Sequence, residues 1–385
     1  MKALTVAALA VASVLTCPRA EADYEGNVGP GAILLWPTAR STALAGAMSG
    51  LADEADAAFF NPAGLAFQTT AKASLSYGNW LPGLYPGMRY GSAIGGAPLR
   101  LPFLGGHNTF VSGSAVYLMT GETDVVNERG EFLGRVTTWR GTAGLQVGTL
   151  LTNRLGAGIG LKVLHDSRYG GNWFWGETYT EATAASADIA LLYHPLPPVS
   201  IGATVANVGS RIVYQPSGEA DDLPRMARLG MCWTAIESRN VRLRVIPELD
   251  KLLPGMFRDT TGRKSFGRRL GEEWKDVWKA LGIEATALNL VSLRLGYFED
   301  LNNQLGGIVL ENEDGETYHY GVWDALTRKG LGRVERVGLC WGFGVGTEAL
   351  RFDLSSDAAI YDFPTKNWKF QLTCNDIGGL FGRRS

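Results

Sequence analysis

The stretch from Leu155 to Val163 reads LGAGIGLKV and carries the pattern that decides the fold. Apolar side chains occupy every second position, and glycines or Lys162 stand between them. Side chains of a β-strand point alternately to opposite faces, so this pattern is typical of a strand between two different environments. We therefore predict a strand with one apolar face and one face of small or polar residues.

The same period of two recurs along the chain, for example in residues 143–149, 337–345, 350–355 and 368–373. A soluble β-sandwich could contain such runs. Here there are about fourteen, and many reach the roughly 9–11 residues that a strand needs to cross a bilayer. The repetition favours a membrane barrel.

The connections between these runs alternate in length. Short links at 151–154, 194–198, 237–240, 288–289 and 346–348 take turns with long ones at 120–136, 168–178, 215–224, 252–277 and 302–332. Transmembrane barrels have short turns at one end and long loops at the other. The predicted fold is an all-β transmembrane antiparallel β-barrel of about fourteen strands over residues 71–375, followed by a C-terminal extension at 376–385.

A different composition precedes the strands. Residues 39–67 read ARSTALAGAMSGLADEADAAFFNPAGLAF, with many small residues and an acidic run before Asn61 and Pro62. Small residues allow close backbone packing, Pro62 ends any helix near Asn61, and the Asn61 side chain can bond to the backbone of a turn. The stretch therefore predicts a compact segment inside a larger body. A buried helix and turn in a soluble protein is the alternative.

Several motifs resemble those of the PorV/PorQ family of type IX secretion, within the FadL-like outer-membrane barrels. They are LADEADAAFFNPAGLA at 51–66, the runs at 201–209 and 223–230, and ELDKLL at 248–253. The resemblance implies an N-terminal hatch, residues 23–70, folded inside the lumen, with Asn61, Pro62, Ala63 and Gly64 as its motif. It also implies a barrel that receives or shuttles secreted cargo at the cell surface. The C-terminal extension departs from the family's aromatic ending.

The N-terminus resembles a secretory signal. A basic end, an apolar core and an A-x-A site predict a signal peptide at residues 1–22, cleaved after Ala22, which fits location in the outer membrane. Cys232, Cys340 and Cys374 are too widely spaced to suggest a disulfide framework or a zinc site. The net charge of −2 gives no electrostatic footprint for nucleic acid.

No pattern indicates catalysis. The four histidines are far apart, no nucleophile elbow or phosphate loop stands in its required context, and no paired carboxylates have a recognisable apolar pocket. We predict a protein that is not an enzyme, with no cofactor and no bound metal.

The sequence is compatible with three functions. The first is the PorV-like role, with secretion subunits, cargo and outer-membrane lipid as partners. The second is a FadL-like channel for uptake of hydrophobic small molecules, and the third is a structural barrel. The expected inner face carries Lys162, Arg351, Asp353, Lys369 and Gln371, which predicts a polar interior and favours the first over the second.

Aromatic residues suggest further contacts. Trp80, Trp139 and Trp368 lie near strand ends and are expected in the interfacial girdles. Trp173, Phe174 and Trp175 are consecutive in a long loop, which is either a lid over the lumen or an anchor for a partner protein. The helix-like run at 268–278 is likewise either a lid on the barrel or a docking surface.

Overall fold

The structure is a computed structural model. It describes residues 34–80, 82, 87–100, 108–126, 129–170, 178–215, 218, 220–254, 256, 265–300, 336–347, 349–357 and 367–380. Within these residues, fourteen antiparallel strands form a closed barrel. In chain order the sixteen strands of the described residues are β1 Lys72–Asn79, β2 Arg89–Arg100, β3 Asn108–Val126, β4 Phe132–Thr152, β5 Leu155–Gly170, β6 Thr178–Leu196, β7 Val199–Gly209, β8 Ile212–Val213, β9 Ala220–Asp221, β10 Met226–Glu237, β11 Val241–Leu252, β12 Val277–Ala287, β13 Val291–Asp300, β14 Arg336–Gly346, β15 Leu350–Ser356 and β16 Lys369–Cys374. All of these strands but β8 and β9 belong to the barrel.

The first and last strands close the barrel. Leu75 of β1 lies opposite Ala93 of β2 on one side and Leu372 of β16 on the other. The short strands β8 and β9 pair only with each other, between β7 and β10, and are not part of the ring. The fold class predicted from the alternation is therefore confirmed, including the number of strands.

The alternation separates an inner and an outer face. In β5, Gly156, Gly158 and Lys162 are buried inside, whereas Ile159 and Leu161 are exposed on the outer wall. The other strands also place leucine, valine and aromatic side chains outside. This outer apolar band is what a lipid-facing barrel surface requires. Among the described residues, no helix is long and apolar enough to cross a membrane.

Two belts of aromatic side chains flank the band. Tyr117, Trp139 and Trp368 are exposed near the long-loop end, while Tyr193 and Trp233 are exposed near the short-turn end. The expectation for Trp80 is wrong. It is only partly exposed and packs against inward-facing Tyr90, with ring centroids 6.3 Å apart.

The short links are tight turns at one end of the barrel. One of them, after β12, has Leu288 and Asn289 both at positive φ, the conformation that a two-residue hairpin turn requires. The predicted long loop at 120–136 is largely wrong. There, β3 continues to Val126 and β4 begins at Phe132, so most of the segment is a paired extension of the hairpin.

Five short helices or helical turns complete the described structure: α1 Ala39–Ala43, α2 Ala57–Phe60, a 3₁₀ helix at Pro62–Phe67, α3 Phe266–Lys275 and α4 Ile377–Leu380. The predicted helix at 268–278 begins earlier and ends earlier than expected. Val277 and Trp278 belong to β12, because Trp278 pairs in the sheet and points into the lumen. In the C-terminal extension, α4 is described and residues 381–385 are not.

The described part of the hatch lies inside the barrel. Its helices and turns are almost wholly buried against the inner faces of β3–β6 and β10–β16. Inward glycines make room for it. A Cβ atom at Gly158 would collide with Ala63, and one at Gly202 would collide with the carbonyl of Ser49. Glycine at these positions therefore permits backbone-to-wall contact that other residues would prevent.

Candidate functional site: a charged latch between hatch and wall

The most concentrated chemistry of the lumen lies near the short-turn end, where the hatch meets β11–β15. Eight charged side chains form one connected group, which we call the charged latch: Arg40, Asp53, Glu54, Arg244, Glu284, Arg294, Arg351 and Asp353. Four arginines face four carboxylates. The formal charges of the group therefore cancel.

Glu284 of β12 is the centre of the latch. Its two oxygens accept from Nε and Nη2 of Arg40, each at 2.9 Å. The same carboxylate accepts from Arg294 at 2.7 Å and from Arg244 at 3.2 Å. Paired donors of this kind match the planar guanidinium geometry that makes arginine bind carboxylates bidentately. Glu284 thus joins one hatch arginine to two wall arginines.

The hatch contributes two carboxylates of its own. Asp53 accepts from Arg40 at 2.6 Å and from Arg244 at 2.7 Å. Both oxygens of Glu54 accept from the guanidinium of Arg351. Burial alone would raise the pKa of Glu54, but Arg351 and Arg40 hold it below the ordinary value. Both hatch acids are therefore anionic and paired at neutral pH.

Asp56 differs from these two acids. Its Oδ2 accepts from Thr38 Oγ1 at 3.2 Å, while Oδ1 accepts no hydrogen bond from the described residues. Burial raises the pKa of Asp56 to about 7, and although Arg40 opposes the rise, Glu54 and Asp53 add to it. Asp56 is therefore the hatch acid whose charge changes near neutral pH.

Polar contacts beyond the latch also hold the hatch. Glu248 of β11 accepts from the amide of Ser49 at 2.7 Å and from its hydroxyl at 2.6 Å. Lys369 of β16 donates to Thr42 at 2.8 Å, and Ser92 donates to the carbonyl of Pro37 at 2.7 Å. These bonds attach the hatch to strands around the whole barrel.

The motif at residues 61–64 sits on the opposite side from the latch. Asn61 Oδ1 accepts from the amide of Ala63 at 3.1 Å, the turn geometry expected from the sequence. Its Nδ2 donates to the carbonyls of Ser49 and of Leu191 in β6, at 2.8 and 3.1 Å. Asn61 therefore joins two parts of the hatch to the wall, while Pro62 begins the 3₁₀ helix.

A polar cavity of about 230 Å³ adjoins the latch at the short-turn end. Its lining includes Arg40, Lys72, Arg244, Thr286 and Asn289. Lys72 donates to the carbonyl of Asp53 at 3.1 Å, so the cavity wall is also hydrogen-bonded to the hatch. The latch therefore lies between the hatch and this cavity at the short-turn end of the barrel.

The interior is not uniformly polar, which corrects the sequence-based expectation. The inner face does carry buried polar side chains, namely Lys162, Asp353, Lys369 and Gln371. In the long-loop half, however, a buried apolar cluster occupies the lumen: Leu34, Leu164, Ala182, Ala184, Ile212, Tyr214, Leu223, Met226, Leu252, Trp278, Phe298 and Cys340. Trp36 of the hatch packs edge-on against Phe298, with ring centroids 5.4 Å apart. The long-loop half of the lumen therefore combines this apolar cluster with buried polar groups such as Asp166, which accepts from Tyr214 of the cluster at 2.6 Å.

Sequence reasoning found part of this site. It placed Arg351 and Asp353 on the inner face but missed Arg40, Glu284 and Arg294, since their pairing joins residues far apart in the chain. The inward phase of their strands was the available signal. Trp173, Phe174 and Trp175 lie outside the described residues, as do the signal peptide and residues 302–332. Among the described residues, no group of three or more potential ligands is arranged to hold a metal ion.

No family model matches the chain, and no curated protein matches its sequence. Solved structures do resemble it. The toluene transporter TodX of Pseudomonas putida is 11% identical, with 87% of this chain and 95% of that chain covered and a TM-score of 0.48. The Ralstonia pickettii toluene transporter TbuX is 11% identical over 87% and 96%, with a TM-score of 0.45. A Pseudomonas aeruginosa FadL homologue is 11% identical over 88% and 97%, with a TM-score of 0.43.

Proposed function

We propose that this protein is an outer-membrane channel that admits small hydrophobic molecules, with the hatch as its gate. The observation that carries the proposal is the apolar cluster in the long-loop half of the lumen, directly above the hatch. Barrels that conduct polar solutes have a polar, water-filled interior. An apolar interior instead favours solutes that leave water readily, at roughly 25 cal/mol for each Å² of apolar surface removed from it.

The outer wall supports the membrane location. Its apolar band and two aromatic belts match the lipid-facing surface of a transmembrane barrel. Closure of the sheet also pairs the backbone groups of every barrel strand with a neighbour on each side, as a structure surrounded by lipid requires.

The charged latch supports the gating role. The described hatch meets the wall through apolar contacts, such as those of Leu44, Met48 and Phe60, and through the ion pairs of the latch, which water can replace when the hatch moves. The PorV-like secretion role rests on the sequence motifs alone. Neither the latch nor the apolar cluster favours it over the channel.

Uptake into proteoliposomes tests the proposal. Toluene and glucose serve as an apolar and a polar solute, with protein-free liposomes as the baseline. We expect the protein to accelerate entry of toluene and not of glucose. The double variant Leu164→Gln/Leu252→Gln, which places amides in the apolar cluster, should slow toluene entry. Val116→Gln makes the same kind of change at an inward position outside that cluster and is the matched control.

Two results would contradict the channel. One is toluene entry at the protein-free rate. The other is equal behaviour of the double variant and the Val116→Gln control, since the apolar cluster would then have no special part in transport. Recovery of a secretion subunit with the protein from membranes, together with no toluene uptake, would favour the PorV-like role.

A further inference from the structure

Helix α3 lies outside the barrel ring, between β11 and β12. Lys251 donates to Glu273 of this helix at 2.8 Å and to Asp276 just after it at 3.2 Å. The neighbours of Lys251 along β11 include Leu252, which is buried in the lumen, so Lys251 points to the outer face. The contacts therefore anchor α3 to the outer wall and not over the lumen.

A second wall lysine confirms this position. Lys279 follows the inward-facing Trp278 in β12 and so also points outward. Its Nζ lies 6.0 Å from the centroid of the Trp274 ring of α3 and 2.8 Å from Glu299 Oε1. The helix thus rests on the long-loop end of the outer wall, at the edge of the apolar band.

One face of α3 carries an exposed apolar stripe. Phe266, Leu270 and Trp274 are spaced by four residues and are 65%, 51% and 57% exposed. Residues at this spacing lie on one side of a helix. Arg268 and Arg269 stand on other faces of the same helix. An apolar stripe flanked by basic residues is typical of a helix that lies in a membrane interface.

We propose that α3 is an interfacial helix that inserts Phe266, Leu270 and Trp274 into the lipid leaflet around the barrel. The lipid is the occupant because the stripe continues the outer apolar band at its aromatic edge, where tryptophan is enriched in membrane proteins. The exposed Arg268 fits the phosphates of the headgroups at the same depth. The helix acts as an anchor that fixes the long-loop end of β11 and β12 relative to the bilayer. This inference rests on the proposed membrane location.

Spin labels at three positions test the anchor in phosphatidylcholine–phosphatidylglycerol vesicles. The labels are placed at Leu270→Cys on the stripe, at Gly271→Cys beside it and at Leu161→Cys on the outer wall, in protein whose cysteines are otherwise replaced by alanine. A Cβ at Gly271 meets no atom within 4 Å, so the control label fits without displacing its surroundings. Collision with oxygen reports lipid, and collision with a nickel chelate reports water.

We expect the oxygen-to-chelate collision ratio at position 270 to be several-fold higher than at 271 and below that at 161, which lies deeper in the apolar band. Equal ratios at 270 and 271 would overturn the proposal, because the stripe would then stand in water. Exclusion of both reagents at 270 would also overturn it and would indicate a protein surface over the stripe. If position 161 itself reports water, the membrane location fails, which separates that failure from failure of the anchor.

Discussion

Neutralising Glu284 should release the hatch. The Glu284→Gln variant keeps the shape of the side chain but leaves four arginines facing three carboxylates. Arg40 and Glu284 are only 1% and 4% exposed, so solvent cannot compensate for the lost charge. Removing one partner of a buried ion pair costs about 3–5 kcal/mol. Glutamine can still accept a hydrogen bond, so we expect the lower end, about 3 kcal/mol, against the docked hatch.

A loss of that size corresponds to a change of roughly a hundredfold in the ratio of open to closed barrels, since each 1.4 kcal/mol is a factor of about ten. Single-channel recording in planar bilayers measures the ratio directly. The matched control is Glu237→Gln at the short-turn end. Glu237 pairs with Arg242 at 2.9 Å but is largely exposed and does not contact the hatch. Such surface pairs contribute about 0–1 kcal/mol.

Equal open probability in Glu284→Gln and Glu237→Gln would refute the latch, provided that both variants show the heat-modifiable mobility of a closed barrel. A double-mutant cycle with Arg40→Gln strengthens the test. Because the double variant restores equal numbers of positive and negative groups, it should be closed more often than Glu284→Gln alone. Additive effects of the two changes would contradict a direct interaction between these residues.

Three other predictions concern the hatch. Asn61→Leu removes hydrogen bonds to Ala63, Ser49 and Leu191, which costs about 1–3 kcal/mol. The barrel should still assemble but leak, and unchanged solute permeability would contradict this. Gly202→Val should displace the hatch and raise trypsin cleavage within it, whereas Gly113→Ala, with only ordinary contacts, should not; equal digestion would count against close packing. Burial places the pKa of Asp56 near 7, above its unfolded value, so its contribution to hatch docking should be present at low pH and lost as pH rises through about 7. Open probability should therefore increase between pH 5.5 and 8 in the wild type and less so in Asp56→Asn, and the same pH response in both would exclude Asp56 as its source.

The barrel was predictable because its information is local. Each strand can be recognised from its own alternation of residues, as in Leu155–Val163. Strands that are adjacent in sequence also pair in space, so the strand order in the barrel follows from the chain order. The tight turns were also local signals. The incorrect prediction of a loop at 120–136 also came from local sequence. Its polar, glycine-containing sequence is typical of a loop, but pairing between β3 and β4 extends the hairpin beyond the lipid-facing band.

The latch was not predictable in this way. Alternation shows that Glu284 and Arg294 share a face with other inward residues, but it does not give the height at which they meet Arg40. That height depends on how the hatch turns inside the lumen. Ala45 and Ala52, both at positive φ, contribute to this path, although alanine seldom adopts that conformation. No local pattern predicts such residues.

The apolar cluster in the lumen was missed for a further reason. The outer face of a membrane strand is apolar by necessity, so an apolar residue is assigned outward by default. Trp278 and Phe298 break that rule, and each stands beside a charged outward residue, Lys279 or Glu299. At the long-loop end, apolar residues point inward and charged residues point outward. This reversal is the sequence signal of apolar side chains in the lumen and of charged wall residues that α3 contacts.

The hatch is held by apolar packing and by the charged latch, and the two contribute differently. Apolar side chains of the hatch, such as Leu44, Met48 and Phe60, pack against the wall, and such contacts are non-directional. A neutral network of four arginines and four carboxylates adds to this packing and specifies one docked position, because Glu284 must meet Arg40, Arg244 and Arg294 at the same time. Its desolvation cost largely offsets its attraction. The hatch can consequently be specific in place and yet only modestly stable, which is the combination that a gate requires.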